Sequence, residues 1–272
     1  MKRWISTALM LVVCTAVVRA DVTITQSTSI EGGPAAMSGA PPMPKTTTRI
    51  KGLKQRTDLE IAGRSFSTIV DLSTKQVAIL QHAEKTVQIL SGSADAVRPQ
   101  IELPKMDASM EPSGRSQVID GVSCDEYLFT TSVDMASVGG GAAQMPPEAA
   151  AMMQGVTMKM KGSVWVSKSA PGAGEYSAFM AAASKANLTS LVSGAVSGNN
   201  GSMERMMNAM SKLNGLGYMT DMTMSFDGTG QFVDMMKQMG EMHVTSKVTS
   251  ISTEPIDDSI FVIPSDYTVI KK

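Results

Sequence analysis

Methionine gives this chain its distinctive chemistry: the sequence holds 24, against six Phe, four Tyr and two Trp. A thioether can act in two ways. It is a soft ligand that suits Cu(I), and it is a flexible, polarisable apolar group that fills irregular space. Met203, Met206, Met207, Met210 and Leu213 recur at helical spacing. So do Phe232, Met235, Met236 and Met239, with Met242 and His243 just beyond. A helix that covers a sheet needs the same spacing. Core or cavity lining is therefore the leading reading of the methionines, and Cu(I) the alternative.

Groups for other chemistry are sparse. The two histidines, His82 and His243, are far apart in the chain. Neither belongs to an HExxH pair, and the sequence has no GxSxG elbow and no GxxxxGK[ST] loop. His82 is expected at the end of a strand, and His243 on the polar face of another beside Lys247, both exposed. Asp257 and Asp258 read as a turn or cap, because a hard cation needs several more oxygens at motif spacing. Cys124 alternates with Val122 and Leu128 and reads as a core thiol. The expectation is a non-enzyme with no catalytic residues, no metal site and no cofactor.

The elements that must carry the methionines are mostly strands. From Leu53 the pattern alternates, with Leu53, Gln55, Thr57, Leu59 and Ile61 against Lys54, Arg56, Asp58 and Glu60. Short turns at Ala62-Gly63-Arg64, Leu72 to Lys75 and Ala83 to Lys85 then predict a meander of hairpins. Glu31 to Lys45 and Val138 to Gly155 read as loops, and Ser91 to Pro112 as a connection with little regular structure. Asp120-Gly121 predicts a hairpin turn within the Ser116 to Thr130 strands. Val156, Met158, Met160, Val164 and Val166 share one face of a strand, with Thr157, Lys159, Lys161, Ser163 and Trp165 on the other. Helices are expected over Glu175 to Ala186, Met203 to Leu213 and Phe232 to Met239. Tyr218 to Phe226 and Met242 to Ile251 read as strands, and Ile260 to Ile263 and Tyr267 to Ile270 as short terminal ones. Leu53, Leu59, Val77, Ile79, Val122, Leu128, Val164, Val166, Val244 and Val248 are expected to face a common interior.

The start, MKRWISTALMLVVCTAVVRA, has a basic n-region at Lys2 and Arg3, an apolar Ile5 to Val18, and Val18-Arg19-Ala20 at its end. This predicts a signal peptide over 1–20 and a periplasmic or secreted product over 21–272, built as a single domain. A lipoprotein box at Leu11 to Cys14 is the rival reading, and the bulk of Val13 argues against it. Removing Lys2, Arg3 and Arg19 changes the net charge of −1 to about −4, which gives no footprint for nucleic acid. The apolar run is too short to span a bilayer, so no integral membrane span is expected. Oligomeric state is left open.

Three patches in order carry a family resemblance: Ile119 to Tyr127 (IDGVSCDEY), Gly162 to Ser167 (GSVWVS), and the end, with Glu254 to Phe261, Pro264 and Tyr267. Together they resemble a secreted bacterial family, domain of unknown function 4412, related in fold to the LolA-like periplasmic lipoprotein carriers. The resemblance implies an α+β fold: a large curved antiparallel sheet, a half-barrel, with helices packed on one face. The site expected there is a cavity for an apolar small molecule or lipid. Its ligand-binding residues are Met158, Met160, Met206, Met210, Met222, Met224, Phe232, Met235 and Met239. The alternatives are a Met-rich Cu(I)-binding protein, or a structural or regulatory envelope protein with a filled core.

Overall fold

The computed structural model describes residues 21–33, 44–61, 63–91, 106–138, 152–186 and 213–270. They are mostly β: β1 (Val22–Gly32), β2 (Lys45–Lys51), β3 (Lys54–Ile61), β4 (Arg64–Asp71), β5 (Gln76–Gln81), β6 (Thr86–Ser91), β7 (Met106–Ile119), β8 (Val122–Asp134), β9 (Thr157–Ser167), β10 (Leu216–Asp227), β11 (Met242–Ser252) and β12 (Thr268–Ile270). Helical segments are α1 (Met135–Val138), a single turn, α2 (Ala173–Lys185) and α3 (Gln231–Met239). The expected α+β class, with a large antiparallel sheet, is what forms. Among the described residues no helix is long and apolar enough to cross a membrane.

All twelve strands join one open sheet in the order β12-β6-β5-β4-β3-β2-β1-β11-β10-β9-β8-β7. Every neighbouring pair is antiparallel except β12 on β6. The β3–β6 stretch is the expected meander of hairpins, and β2 extends it by one strand. The β7–β8 turn is the expected one too, with Asp120 at φ 51 and Gly121 at φ 82. Both central residues of a tight hairpin turn that matches strand twist need positive φ, which Asp-Gly tolerates.

Several expectations are corrected. The stretch read as an irregular connection ends in a 14-residue strand, β7, which begins at Met106 and runs through Pro112. β7 is the edge of the sheet, so the missing N–H of Pro112 costs no ladder bond, and the register slips between Pro112 and Ser116. Leu53 is 42% exposed in the Gly52-Leu53 turn and Leu128 is 40% exposed, so neither joins the interior. Val77, Val164, Val166, Val244 and Val248 are buried, while Leu59, Ile79 and Val122 are half-buried. The first of the two terminal strands is a 3-10 turn over Asp258–Phe261, capped by Asp257, whose Oδ1 accepts from the Ser259 N–H at 2.7 Å.

Two core clusters hold the sheet. One joins Val22, Ile24, Ile50, Val77, Leu216 and Val248 with Phe179 and Ala183 of α2. Cys124 and Trp165 also belong to it, so the expected core thiol is buried. The other packs Ile69, Leu80 and Val87 beneath Ile256 and Phe261 of the C-terminal segment.

Candidate functional site

Strand register decides which candidate residues meet. Met158 lies opposite Phe226, Met160 opposite Met224, and Gly162 opposite Met222 across β9 and β10. On the outer side of β9 the partners are Val133, Thr131 and Phe129. Across β11, Met222 faces Val244 and Met224 faces Met242. Directly opposed residues share a face of the sheet, so Met158, Met160, Met222 and Met224 form one continuous surface with Phe129, Phe226 and Met242. The register brings these four candidate residues together.

That surface is pinched at Gly162. A Cβ at Gly162 would lie 2.1 Å from the Asp221 carbonyl oxygen and 2.8 Å from the Met222 Cβ. Only glycine allows β9 and β10 to approach this closely. It leaves no side chain between Phe129 and Met222, which flank it on either side.

The third wall is α3. Phe232 meets Phe226 edge-to-face, with ring centroids 5.9 Å apart at 88°. This geometry suits the positive ring edge and negative ring face. It seats the start of α3 on the methionine surface. The helix then turns Val233 and Met236 inward, while Met239 is half-buried and Met235 is 47% exposed. Phe232, Met235, Met236 and Met239 are expected on one helical face. Met236 is buried and Phe232 and Met239 are half-buried, but Met235 turns outward and Val233 takes the inward place beside Met236. Met206 and Met210 lie outside the described residues.

Burial sets this surface apart. Met158, Met160, Met222, Met224, Phe226, Phe232 and Met239 are all half-buried. They are large, apolar and gathered on one side of the molecule, yet none is closed into the core.

The open cavity nearby is different in kind. It encloses about 440 Å³ and is lined by Asp107, Ala108, Ser109, Thr130, Thr131, Ser132, Lys159, Met160, Lys161 and Ser225. Lys159 and Lys161 alternate with the methionines along β9 and so project to the opposite face. Lys159 pairs with Asp227 at 2.5 Å, and Ser109 bonds Thr130 at 2.7 Å. Of the candidate residues, this polar groove touches Met160 alone among those described.

Trp165 is also on the side of β9 opposite the methionines, and it is 8% exposed. The Arg115 guanidinium of the edge strand covers its ring at 5.9 Å from the centroid. Arg115 grips Glu126 with two hydrogen bonds, one of 2.6 Å from Nε to Oε2. Burial alone would raise the Glu126 carboxyl. The hydrogen bonds and charge of Arg115, with help from Ser113 and Ser163, outweigh it and hold the carboxyl below the usual range.

Cu(I) binding would need sulfurs that converge. Met160, Met224 and Met242 stand in a row across three strands. Met242, however, leans toward β1, where a Cβ on Gly33 would lie 2.9 Å from its sulfur. His243 projects to the other face by alternation, and its Nδ1 lies 3.3 Å from the Thr223 hydroxyl. It is exposed, as expected. Among the described residues no cluster of His, Cys, Asp and Glu has metal-holding geometry.

One polar constellation was missed. His82 was expected exposed at a strand end and is instead half-buried in a network. Its Nε2 lies 2.6 Å from Ser67 Oγ, and its Nδ1 2.5 Å from the Tyr267 hydroxyl. Ser67, 1% exposed, donates to Asp58 Oδ1 at 2.5 Å and accepts from Arg56 Nη2 at 3.1 Å. Burial would push the Asp58 carboxyl up. Hydrogen bonds from Ser67 and Arg56 and the charges of Arg56 and Arg49 prevail and hold it below the usual carboxylate range. Serine, histidine and aspartate meet here in the wrong order for nucleophilic attack. A catalytic serine gives its proton to histidine, which the acid orients. Here the serine gives its proton to the acid. The Tyr267 contact spans 185 positions of sequence, so no local pattern signals it.

No family model matches the chain, and no curated protein matches it.

Proposed function

We propose that this is a non-enzymatic exported protein that binds an apolar ligand, a lipid or acyl chain, on the methionine surface beneath α3. The half-buried state of Met158, Met160, Met222, Met224, Phe226 and Phe232 carries this reading. An apolar surface of this kind on a folded protein marks a place where something else sits. Methionine suits the task because its unbranched chain adapts to varied apolar shapes. The leader-like first twenty residues support export to the periplasm or beyond. The resemblance to LolA-like half-barrels, in which helices close an apolar interior, supports the same reading. The direction of the Ser67 proton supports the absence of catalysis.

The ligand would gain about 0.8 kcal/mol per methylene removed from water. Displacement of a fluorescent fatty acid by unlabelled chains of increasing length tests this. Affinity should rise with length until the surface is covered. Met222→Asp should weaken binding at least tenfold, because a carboxylate buried beside an acyl chain has no partner. A flat response across the series, with no displacement at any length, would leave the methionines as packing alone.

A further inference from the structure

Methionine is spread unevenly with depth. Among the described residues Met236 is the one methionine that is buried. The cluster at the other end of the sheet closes on Ile69, Leu80, Val87, Ile256 and Phe261, with no methionine among its buried members. Leucine would give the same apolar volume as methionine. What it lacks is a sulfur with lone pairs open to an oxidant. The described methionines, Met236 apart, thus keep some contact with water, where a small oxidant can reach them.

Strand register concentrates these thioethers. Met160 and Met224 are directly opposed across β9 and β10, and Met242 follows on β11. Met158 opposes Phe226, and Met222 sits on the same face of β10 as Met224. At the outer margin, Met110 of β7 opposes Phe129 of β8. All six methionines are half-buried. Opposed residues on one face stand about 5 Å apart at Cβ, so a change at any one alters the surface that its neighbours share.

We propose that Met158, Met160, Met222 and Met224 form an oxidant-responsive switch, at which a peroxide converts the thioethers to sulfoxides and releases the ligand. The inference rests on the apolar-ligand reading. A sulfur lone pair attacks one oxygen of hydrogen peroxide, and the S–O bond forms as the O–O bond breaks. Hydroxide leaves, takes the proton of the transferred oxygen and departs as water. The sulfur loses two electrons and the peroxide gains them. Each product carries a polar sulfoxide where an apolar group stood. An acyl chain laid over it would strip water from that oxygen and offer no hydrogen bond in return.

Graded oxidation of the full chain with hydrogen peroxide tests the switch, read by peptide mass spectrometry and by affinity for a fluorescent fatty acid. The exposed Met152 and Met235 should react first, with affinity unchanged. The four surface methionines should follow, and affinity should fall at least about tenfold as they do. Met236 should stay reduced and so report an intact fold. With the four replaced by Leu, the same dose should change affinity by less than about twofold, since no sulfur remains at those positions. Affinity that holds after the four are oxidised would overturn the switch. So would four methionines that stay reduced until Met236 reacts, or an equal loss in the Leu variant. Absence of fatty-acid binding before any peroxide is added would overturn the apolar-ligand reading itself, and the switch with it.

Discussion

The two ends of the sheet solve the same burial problem with different materials. Beneath the segment from Ile256 to Phe261, Leu80 and Val87 are 0% exposed, and Arg56, Asp58, Ser67 and His82 hydrogen-bond in one network. Across β8 to β11, long methionines lie half-covered where β9 and β10 draw close at Gly162. Branched side chains of fixed shape give a tight and specific fit. Unbranched thioethers give an adaptable surface that tolerates change. One end of this molecule is closed by branched side chains, and the other is left half-covered by adaptable ones, which is where the proposed ligand would sit.

The largest test of that contrast is Leu80→Ala. Its site cannot relax easily, and the loss should be about 3 kcal/mol by urea denaturation. A loss below about 1 kcal/mol would mean that the Leu80 end is as pliable as the methionine end.

Next is Asp58→Asn, expected to cost about 2 kcal/mol at neutral pH, since it removes a charged acceptor from Ser67 and Arg56. The sign of its pH dependence is fixed. Asp58 is held below its ordinary value when folded. Its stabilisation is therefore full above about pH 4, the unfolded value, and is lost as pH falls through the lower folded value. Stability curves of wild type and variant should converge in that acid window.

A smaller effect is expected from replacing Met158, Met160, Met222 and Met224 together with Leu. Each swap keeps volume and should cost less than about 1.5 kcal/mol. Acyl-chain binding should persist, while any binding of Cu(I) would disappear with the sulfurs. If the variant keeps stability but loses the fatty-acid response, the surface depends on sulfur and not on apolar area.

The smallest is Met235→Gln. At 47% exposure it should change stability by no more than about 0.5 kcal/mol and leave ligand affinity unchanged. Met236→Gln, by contrast, should affect both.

Local pattern was enough for the strands. Alternation from Lys54 onward, the Asp120-Gly121 turn, the α2 and α3 helices and the Asp257 cap could all be read from neighbouring residues. The methionine surface was half legible. Alternation puts Met158 with Met160 and Met222 with Met224. Only register reveals that Met160 meets Met224, and that Phe129 and Met242 complete the face. Phe226 was in the same alternating run as Met222 and could have been included on that ground. Within α3 the helical period placed Met236 inward correctly, but it counted Met235 in and left Val233 out. A stripe of Phe232, Val233, Met235, Met236 and Met239 leaves the choice of buried centre to the sheet beneath. The His82 network was not legible at all, because its partners come from β3, β4 and the far end of the chain. Pro112 misled in the opposite sense: it argues against a strand except at an edge, and edges are fixed by topology.

β1 occupies the middle of the sheet, between β2 and β11, and Thr23 lies opposite Ser252. The strands from β2 to β6 can zip as successive hairpins before later residues join the sheet. The joint between the sheet's halves cannot form until nearly the whole chain exists. Loop length adds only about 0.6 kcal/mol per doubling to such a closure, but distant pairing slows folding far more than it weakens the product. The rate-limiting event of assembly should accordingly be the docking of β11 on β1. Until the C-terminal segment docks, the strip around Leu80 stays uncovered. The nascent chain is thus most prone to aggregate at the end that is most rigid once finished.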